Sequence, residues 1–575
     1  MNRAKPLNAL ATRRVGDLVL DSNSLHVVKA SPPSGKWTAG RFAWALCVLI
    51  LVAAAAEQVL REGGFRVDDA YITFSFSKNL AAGQGPIFSH GLRVEGYSNF
   101  LWMVLIAVRF LFSSQGDPYG FARTLAFASV ALTLVMAYRV TRRVAAPASA
   151  LLAVGLLVCC SDLFRAAASA LETAAYAAAI LFGWAIYLAE PTERRRWSLL
   201  AFVPAALMRI DGFVPLLIVC GVELISQLAR HRFRFFDWVR WAAPAVGIWS
   251  VYFAWRYHYY GLLLPTTYYA KTVVAAGDPD RGVRQAWDFL RDYGALPLLP
   301  LLFLPVVRGP RRAALGLSCA VVLQVLYATT VGGDWMPFNR FFLPIVPLAA
   351  VLVAWGSEQV WRSVSGYGLF VRCTSRAALA VVLEFSALHM HAASADTPQE
   401  KIKIDTATGV EKHTVGNLLA VKDLMAYVVR HPGDRLVTDY PGVFSVFTDA
   451  QIIDMWGLCN ADIALHGGIN GINPIYGKEC AECYGRLSPD YFHVGVPIVR
   501  KENSFQNVPQ IMGNIFQSAA IDRVIDLRSR FAAGRVVEER TGRTLWFLER
   551  RRPDWLLETR RPGAGIRVDY PFERR

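Results

Sequence analysis

Eleven apolar stretches interrupt the first two thirds of this chain, at residues 42–60, 121–138, 147–160, 173–189, 197–208, 212–228, 239–255, 294–307, 313–330, 341–356 and 377–392. About 20 apolar residues cross a bilayer as a straight helix, and backbone polar groups within the hydrocarbon can be satisfied only by a helix or a closed barrel. The shorter stretches therefore predict helices that borrow flanking residues or are sheltered by neighbours. Composition agrees, with 54% hydrophobic and only 18% charged residues, against about 25% charged in a soluble domain. A length of 575 residues would otherwise suggest several soluble domains. Soluble, disordered, collagen-like and fibrous classes are excluded, and the fold class predicted is a polytopic α-helical membrane protein of about 11 transmembrane helices.

The formal net charge of +16 would invite a nucleic-acid reading if its cations formed one patch. They do not. With the N-terminus cytoplasmic, the N-terminal tail and the alternate loops hold 23 Lys and Arg against six acids, whereas the opposite loops up to residue 340 hold 14 against 13. That asymmetry is the positive-inside pattern, so topology accounts for the charge and no nucleic-acid partner is needed. The run Asn99–Phe112 carries Arg109 and would invert every later loop if it crossed; it is predicted to lie at or dip into the outer face.

Three regions follow. Residues 1–40 form a cytoplasmic tail, too long and without a small-residue cleavage site to be a signal peptide. Residues 41–392 form the membrane part. Residues 393–575 change composition, with strand-like runs at Arg435–Thr438 and Thr544–Leu548 between Gly and Pro turns, and predict a soluble α/β domain outside the cytoplasm. The nine Cys show neither a disulfide-scaffold spacing nor a paired Cys/His metal pattern. Cys459, Cys480 and Cys483 fall in the outer region; two of them could pair, with 480–483 a permissive but short spacing, or all three could be buried free thiols.

The outward loops collect the residues that could carry chemistry. Asp68 and Asp69 are adjacent at the membrane edge. Adjacent carboxylates are most often a solvated turn, but aromatic, half-apolar sequence follows these, and burial near apolar surface raises basicity. They are candidates to accept a proton or bind a cation. Glu172 starts a span, where it is either a first-turn acid stabilised by the helix dipole or a functional group. Arg209 and Asp211 interrupt two apolar runs, and ionisable groups at such depth are costly to bury and so functional candidates. His258 and Lys271 stand among five Tyr; the aromatics are ordinary interface anchors, while a cation beside them could bind a phosphate. Asp334 and Arg340 bracket a further outward turn.

In order along the chain, DDAYITF with VEGYSNFLW, ALET, LMRIDG, YYGLLLPTTYYAK and GGDWMPFNRFFLPIVP resemble the motifs of GT-C superfamily glycosyltransferases that use polyprenyl-phosphate-sugar donors. The likeness is greatest to mycobacterial terminal β-1,2-arabinofuranosyltransferases and their bacterial relatives. It covers roughly residues 40–356, and VTDYPGVFSVFTDAQIIDMWGLCNADIAL resembles the outer domain that follows in that group; the segment after about 465 has no counterpart. The resemblance implies transfer of a sugar, arabinofuranose among the candidates, from a lipid-linked donor to an extracytoplasmic glycan, lipid or protein of the cell envelope. It implies a bacterial cytoplasmic membrane, Asp68 or Asp69 as base or as ligand of a divalent cation (Mg or Mn), and no organic cofactor. It gives Lys271, Arg209 and Arg340 the donor phosphate, with Glu172, Asp211, His258 and Asp334 in support, and inversion at the anomeric carbon. The helix at 97–112 could line a lipid groove.

A transporter or flippase of lipid-linked sugars is the first competing reading, opposed by charges in outer loops rather than near the midplane. A glycan polymerase or ligase shares the donor chemistry, and a non-catalytic assembly subunit would not need Asp68 and Asp69. The topology is open to direct measurement: reporter fusions after Arg143, Arg312 and Ser394 are expected to report cytoplasm, cytoplasm and outside. Inversion at Arg143 alone would mean that the 99–112 helix crosses.

Overall fold

The computed structural model describes residues 39–62, 65–113, 116–189, 197–229, 231, 233–277, 280–293, 311–332, 339–396, 415–467, 480–493, 524, 526–540, 544–552 and 565–570. Every apolar stretch coincides with a helix except 294–307, which lies outside the described residues together with the tail up to residue 38. Five helices are long and apolar enough to cross a membrane: Phe42–Glu62, Tyr119–Val144, Ile210–Leu228, Ala313–Thr330 and Leu343–Gly366. Pro147–Val158 and Ser161–Ala168 make a sixth if a pair bent by 56° is one span. The chain is thus a multi-pass membrane protein.

The count of eleven is not reached by helices of that kind among the described residues. Stretches 173–189 and 197–208 form apolar helices too short for a straight crossing. Stretches 239–255 and 377–392 lie in Phe235–Tyr260 and Leu369–Asp396, which carry Arg240 and Arg256, and Arg376 and Glu384, along their length. Helix Phe100–Phe112 has 13 residues, about 20 Å at 1.5 Å per residue, well short of a bilayer core. One of its faces, with Trp102, Met103 and Ile106, is buried against the body, while Leu111 and Phe112 are exposed.

The C-terminal part is built on one six-stranded mixed sheet in the order β2-β1-β3-β5-β4-β6, where β1 is Arg435–Thr438, β2 Gln451–Asp454, β3 Tyr491–His493, β4 Phe531–Glu538, β5 Thr544–Arg550 and β6 Ile566–Asp569. Both strand-like runs of the sequence are strands. Strand β1 pairs in parallel with β2 and β3, which demands crossovers, and the remaining pairs are antiparallel. Helix Pro441–Phe447 makes the β1–β2 crossover. Cys480 and Cys483 form a disulfide and Cys459 is a buried free thiol, so of the two alternatives for the outer cysteines the structure takes the pairing at 480–483.

Sheet and helical body meet where Pro441–Phe447 packs on helix Asp68–Ala81. The Asp68 carboxylate accepts the backbone N–H groups of Gly442 (2.9 Å) and Val443 (2.8 Å) at the start of the short helix, and Lys78 donates to the Val446 carbonyl (2.9 Å) at its end. Acid at the amino end and lysine at the carboxyl end complement the helix dipole. The approach is so close that a Cβ on Gly442 would collide with the Asp68 carbonyl oxygen. Gly442→Ala is therefore expected to destabilise the protein by about 1–3 kcal/mol, the range for overpacking, read as a lower Tm in detergent with the sheet part first to become protease-sensitive.

Candidate active site

Seven segments distant in sequence converge above the helical body: the start of Asp68–Ala81, the turn 96–99, Leu171, the turn Arg209–Phe213, Leu264–Lys271, the end of Arg311–Thr330 and Arg340–Phe341. With Leu458 they enclose a cavity of about 490 Å³, in the size range of small-molecule sites. Asp69, Arg209, Asp211, Lys271 and Arg340 line it. Ionisable residues singled out in four separate loops thus share one chamber.

Glu172 holds its charges in place. The residue is fully buried immediately before helix Thr173–Ala189, and it accepts from Arg340 Nη2 at 3.0 Å, Arg209 Nη1 at 3.3 Å and Asn99 Nδ2 at 2.9 Å. Burial pushes its carboxyl up, but the Arg340 and Arg209 guanidiniums and the Asn99 amide outweigh burial and hold it at about 2. Arg209 also donates from Nε to Asp211 Oδ1 at 2.8 Å and from Nη2 to Oδ2 at 3.4 Å. Its guanidinium lies 4.9 Å from the Phe341 ring centre, and Lys271 Nζ lies 5.9 Å from the same ring. Phe341 is therefore flanked by two cations, both of which line the cavity. Such an arrangement offers fixed positive charge to an anion, the requirement for a phosphate leaving group.

The expected residues do not all gather there. Asp68 is absent from the lining: both its oxygens take backbone N–H groups from the C-terminal part. Burial raises it to about 7, against those two hydrogen bonds, with the charges of Asp69 and Asp454 adding to the rise. His258 is exposed and does not line the cavity. It stands two positions after the fully buried Arg256, and two residues turn a helix by about 200°, which puts His258 on the opposite face. Asp334 lies outside the described residues.

A divalent cation at Asp68 and Asp69 finds a poor donor set. No group of three or more His, Cys, Asp or Glu among the described residues is arranged to hold a metal, and Asp68 is committed to two amides.

Several residues that shape the site carried no assignment in the sequence. Glu95 and Arg256 form a buried pair, with Nε 3.0 Å from both carboxylate oxygens, and Arg256 Nη1 donates to the Leu263 carbonyl at 2.6 Å. That pair fixes the Leu262–Pro265 turn that leads to Lys271. An arginine inside an aromatic apolar run was the available signal. Asn99 and Glu95 stand in VEGYSNFLW and Phe341 in GGDWMPFNRFFLPIVP, segments noted for resemblance without a role for these positions.

Fold and cavity together define a multi-pass helical membrane protein with a charged chamber under a mixed-sheet domain. The chain is homologous to the terminal β-(1→2)-arabinofuranosyltransferase of Mycobacterium tuberculosis, at 28% identity over 339 residues, 49% of this chain and 51% of the relative. It thus spans about half the length of the curated relative it matches. No protein-family model matches. Among solved structures it is similar to ArnT from Cupriavidus metallidurans bound to undecaprenyl phosphate, with a TM-score of 0.49 and 13% identity over 89% of this chain and 98% of that one. It is similar also to the oligosaccharyltransferase AglB from Archaeoglobus fulgidus with an inhibitory peptide and a dolichol-phosphate, with a TM-score of 0.46 and 12% identity over 88% of this chain and 74% of that one. Likenesses of this size say nothing about the chemistry.

Removing the Glu172 charge leaves two buried guanidiniums without their shared partner. Glu172→Ala is expected to cost about 3–5 kcal/mol, the range for breaking a buried ion pair, measured by thermal unfolding. Because the folded carboxyl is held below its ordinary value, its contribution is complete above about pH 4.5 and is lost as pH falls toward 2. The Tm difference between wild type and Glu172→Ala is expected to narrow over that window.

Proposed function

We propose that this protein is a membrane glycosyltransferase that moves a sugar, arabinofuranose by analogy with the curated relative, from a polyprenyl-phosphate donor to an extracytoplasmic acceptor of the bacterial cell envelope. The observation that carries the reading is the cavity that sets the Asp69 carboxylate in one chamber with Arg209, Lys271 and Arg340. Homology over 339 residues to an arabinofuranosyltransferase supports it. The domain roles follow: a cytoplasmic tail at 1–40, a membrane part at 41–392 holding the donor, and an extracytoplasmic part at 393–575 facing the acceptor.

The chemistry needs few groups. An acceptor hydroxyl attacks the anomeric carbon, the bond from that carbon to the phosphate oxygen breaks, and polyprenyl phosphate leaves with one more negative charge. Asp69 accepts the hydroxyl proton as general base. Lys271, Arg209 and Arg340 meet the charge that grows on the phosphate, with both guanidiniums oriented beforehand by Glu172. The leaving group is a stable phosphate, so no general acid is required. A single displacement inverts the anomeric centre. Of the adjacent carboxylates, Asp69 lines the chamber and takes the catalytic role, while Asp68 anchors the C-terminal part through the Gly442 and Val443 amides.

The two roles separate on mutation. With polyprenyl-phosphoryl arabinofuranose as donor and octyl arabinofuranoside as acceptor, Asp69→Asn is expected to lower kcat by about 10²- to 10⁴-fold, the usual loss for a general base, with donor binding retained. Asp68→Asn is expected to lower Tm and to cost less activity. Near-wild-type turnover in Asp69→Asn would remove the catalytic assignment and favour a carrier or an assembly subunit.

A further inference from the structure

We infer that Asn339 is the positioning residue that sets Arg340 for the donor phosphate; the inference rests on the proposed glycosyl transfer and deepens it. Asn339 does not line the cavity, whereas the next two residues, Arg340 and Phe341, both do. They are the two central residues of a tight turn. The Asn339 carbonyl accepts the N–H of Phe342 at 2.8 Å and of Leu343 at 2.9 Å, which closes the chain over them just before helix Val346–Ser363. Asn339 itself adopts φ +48, a left-handed conformation that asparagine enters more readily than most side chains.

The side chain ties that turn to two other elements. Asn339 Nδ2 lies 3.2 Å from Asp162 Oδ2 and 3.4 Å from Asp292 Oδ2. Between two carboxylates an amide turns its nitrogen toward them, and its two protons suffice for one each. Asp162 is buried at the start of helix Ser161–Ala168, where it also accepts the Tyr293 hydroxyl at 3.0 Å and stands 3.9 Å from the Arg165 guanidinium. Arg165 in turn donates from Nε to Glu62 Oε2 at 3.0 Å. Asp292 ends helix Arg281–Asp292, which approaches Thr329 so closely that a Cβ on Gly282 would collide with the Thr329 carbonyl oxygen. Asp162, Asp292 and Tyr293 all stand outside the lining of the cavity.

Arg340 is thereby held at both ends. Glu172 takes the guanidinium at 3.0 Å, and Asn339 holds the main chain from which that side chain starts. An arginine has several rotatable bonds, so a hydrogen bond at its tip defines its path only when its backbone is held too. A cation that meets charge growing on a leaving phosphate acts through its placement, and a displacement of about 1 Å caused by a distant change can cost about 10²-fold in rate. A residue that only stabilises the fold costs the same activity whether or not Arg340 is present. A residue that acts through Arg340 loses its effect when the arginine is gone.

That dependence is the test. Full-length Asn339→Asp, Asn339→Gly and Arg340→Ala, with each change at 339 also combined with Arg340→Ala, are purified in detergent and their Tm measured. Each is compared with wild type for transfer from polyprenyl-phosphoryl arabinofuranose to octyl arabinofuranoside. Asn339→Asp keeps the shape but sets a third carboxylate against two others, and is expected to lower kcat by roughly ten-fold or more with KM for the acceptor kept. Asn339→Gly leaves the left-handed conformation open and removes only the anchor, with a smaller loss of the same kind. Arg209 and Lys271 remain in Arg340→Ala, which keeps its turnover measurable. In that background either change at 339 is expected to cost about three-fold at most, because residues acting through one another couple while independent ones add. The same fold-loss in both backgrounds, wild-type turnover in both Asn339 variants, or failure of both to fold overturns the positioning role. Full transfer by Arg340→Ala takes the arginine away from the phosphate, and the inference with it. Wild-type protein that transfers nothing overturns the transferase reading itself.

Discussion

The site depends on one buried carboxylate and the two guanidiniums that share it. Glu172 comes from the turn before one helix, Arg209 from a break between two others and Arg340 from the approach to a fourth. Each charge alone would be expensive at that depth. Joined, with Asn99 donating to Glu172 and Asp211 accepting from Arg209, they become a cluster that ties the helices together and keeps both guanidiniums at the cavity. A scaffold of this kind serves both stability and chemistry, because groups oriented before the substrate arrives need no reorganisation during reaction.

A second constraint is that the chamber is completed by a different part of the chain. Helix Asp68–Ala81 is gripped at both ends by Pro441–Phe447, and the Asp454–Cys459 turn is pinned to Thr266 and Gly96. Docking the sheet therefore does more than cover the body. It orients the first turn of the helix that carries Asp69, and it brings Leu458 to the lining of the cavity. Adjacent Asp68 and Asp69 are divided by this geometry: successive residues at a helix start point about 100° apart, so one carboxylate meets the amides of the sheet part while its neighbour lines the chamber.

Much of this was legible in the residues. Apolar runs marked the helices, because a bilayer leaves the backbone little choice. Arg209, Asp211 and Arg340 stood out as charges among apolar neighbours, and the chamber holds all three. His258 misled, since a residue type beside tyrosines says nothing about which side of the helix it takes. Hydropathy alone does not give the shape of each run: a bend of 56° follows Val158, and Phe235–Tyr260 mixes Arg256 into an aromatic run, where it pairs with Glu95.

By itself the sequence determined the class of the protein, a chain with too little polar surface for water, and the set of charged loop residues from which a site had to be assembled. Period, apolar length and charge placement are local quantities and can be read locally. Only the tertiary structure decided which of two neighbouring aspartates lines the chamber, that Glu172 is the common partner of Arg209 and Arg340, and that Leu458, more than 180 residues beyond Lys271, lines the same cavity. Those are pairings between distant segments, fixed by packing and by the cost of leaving a buried charge alone, and no spacing along the chain encodes them.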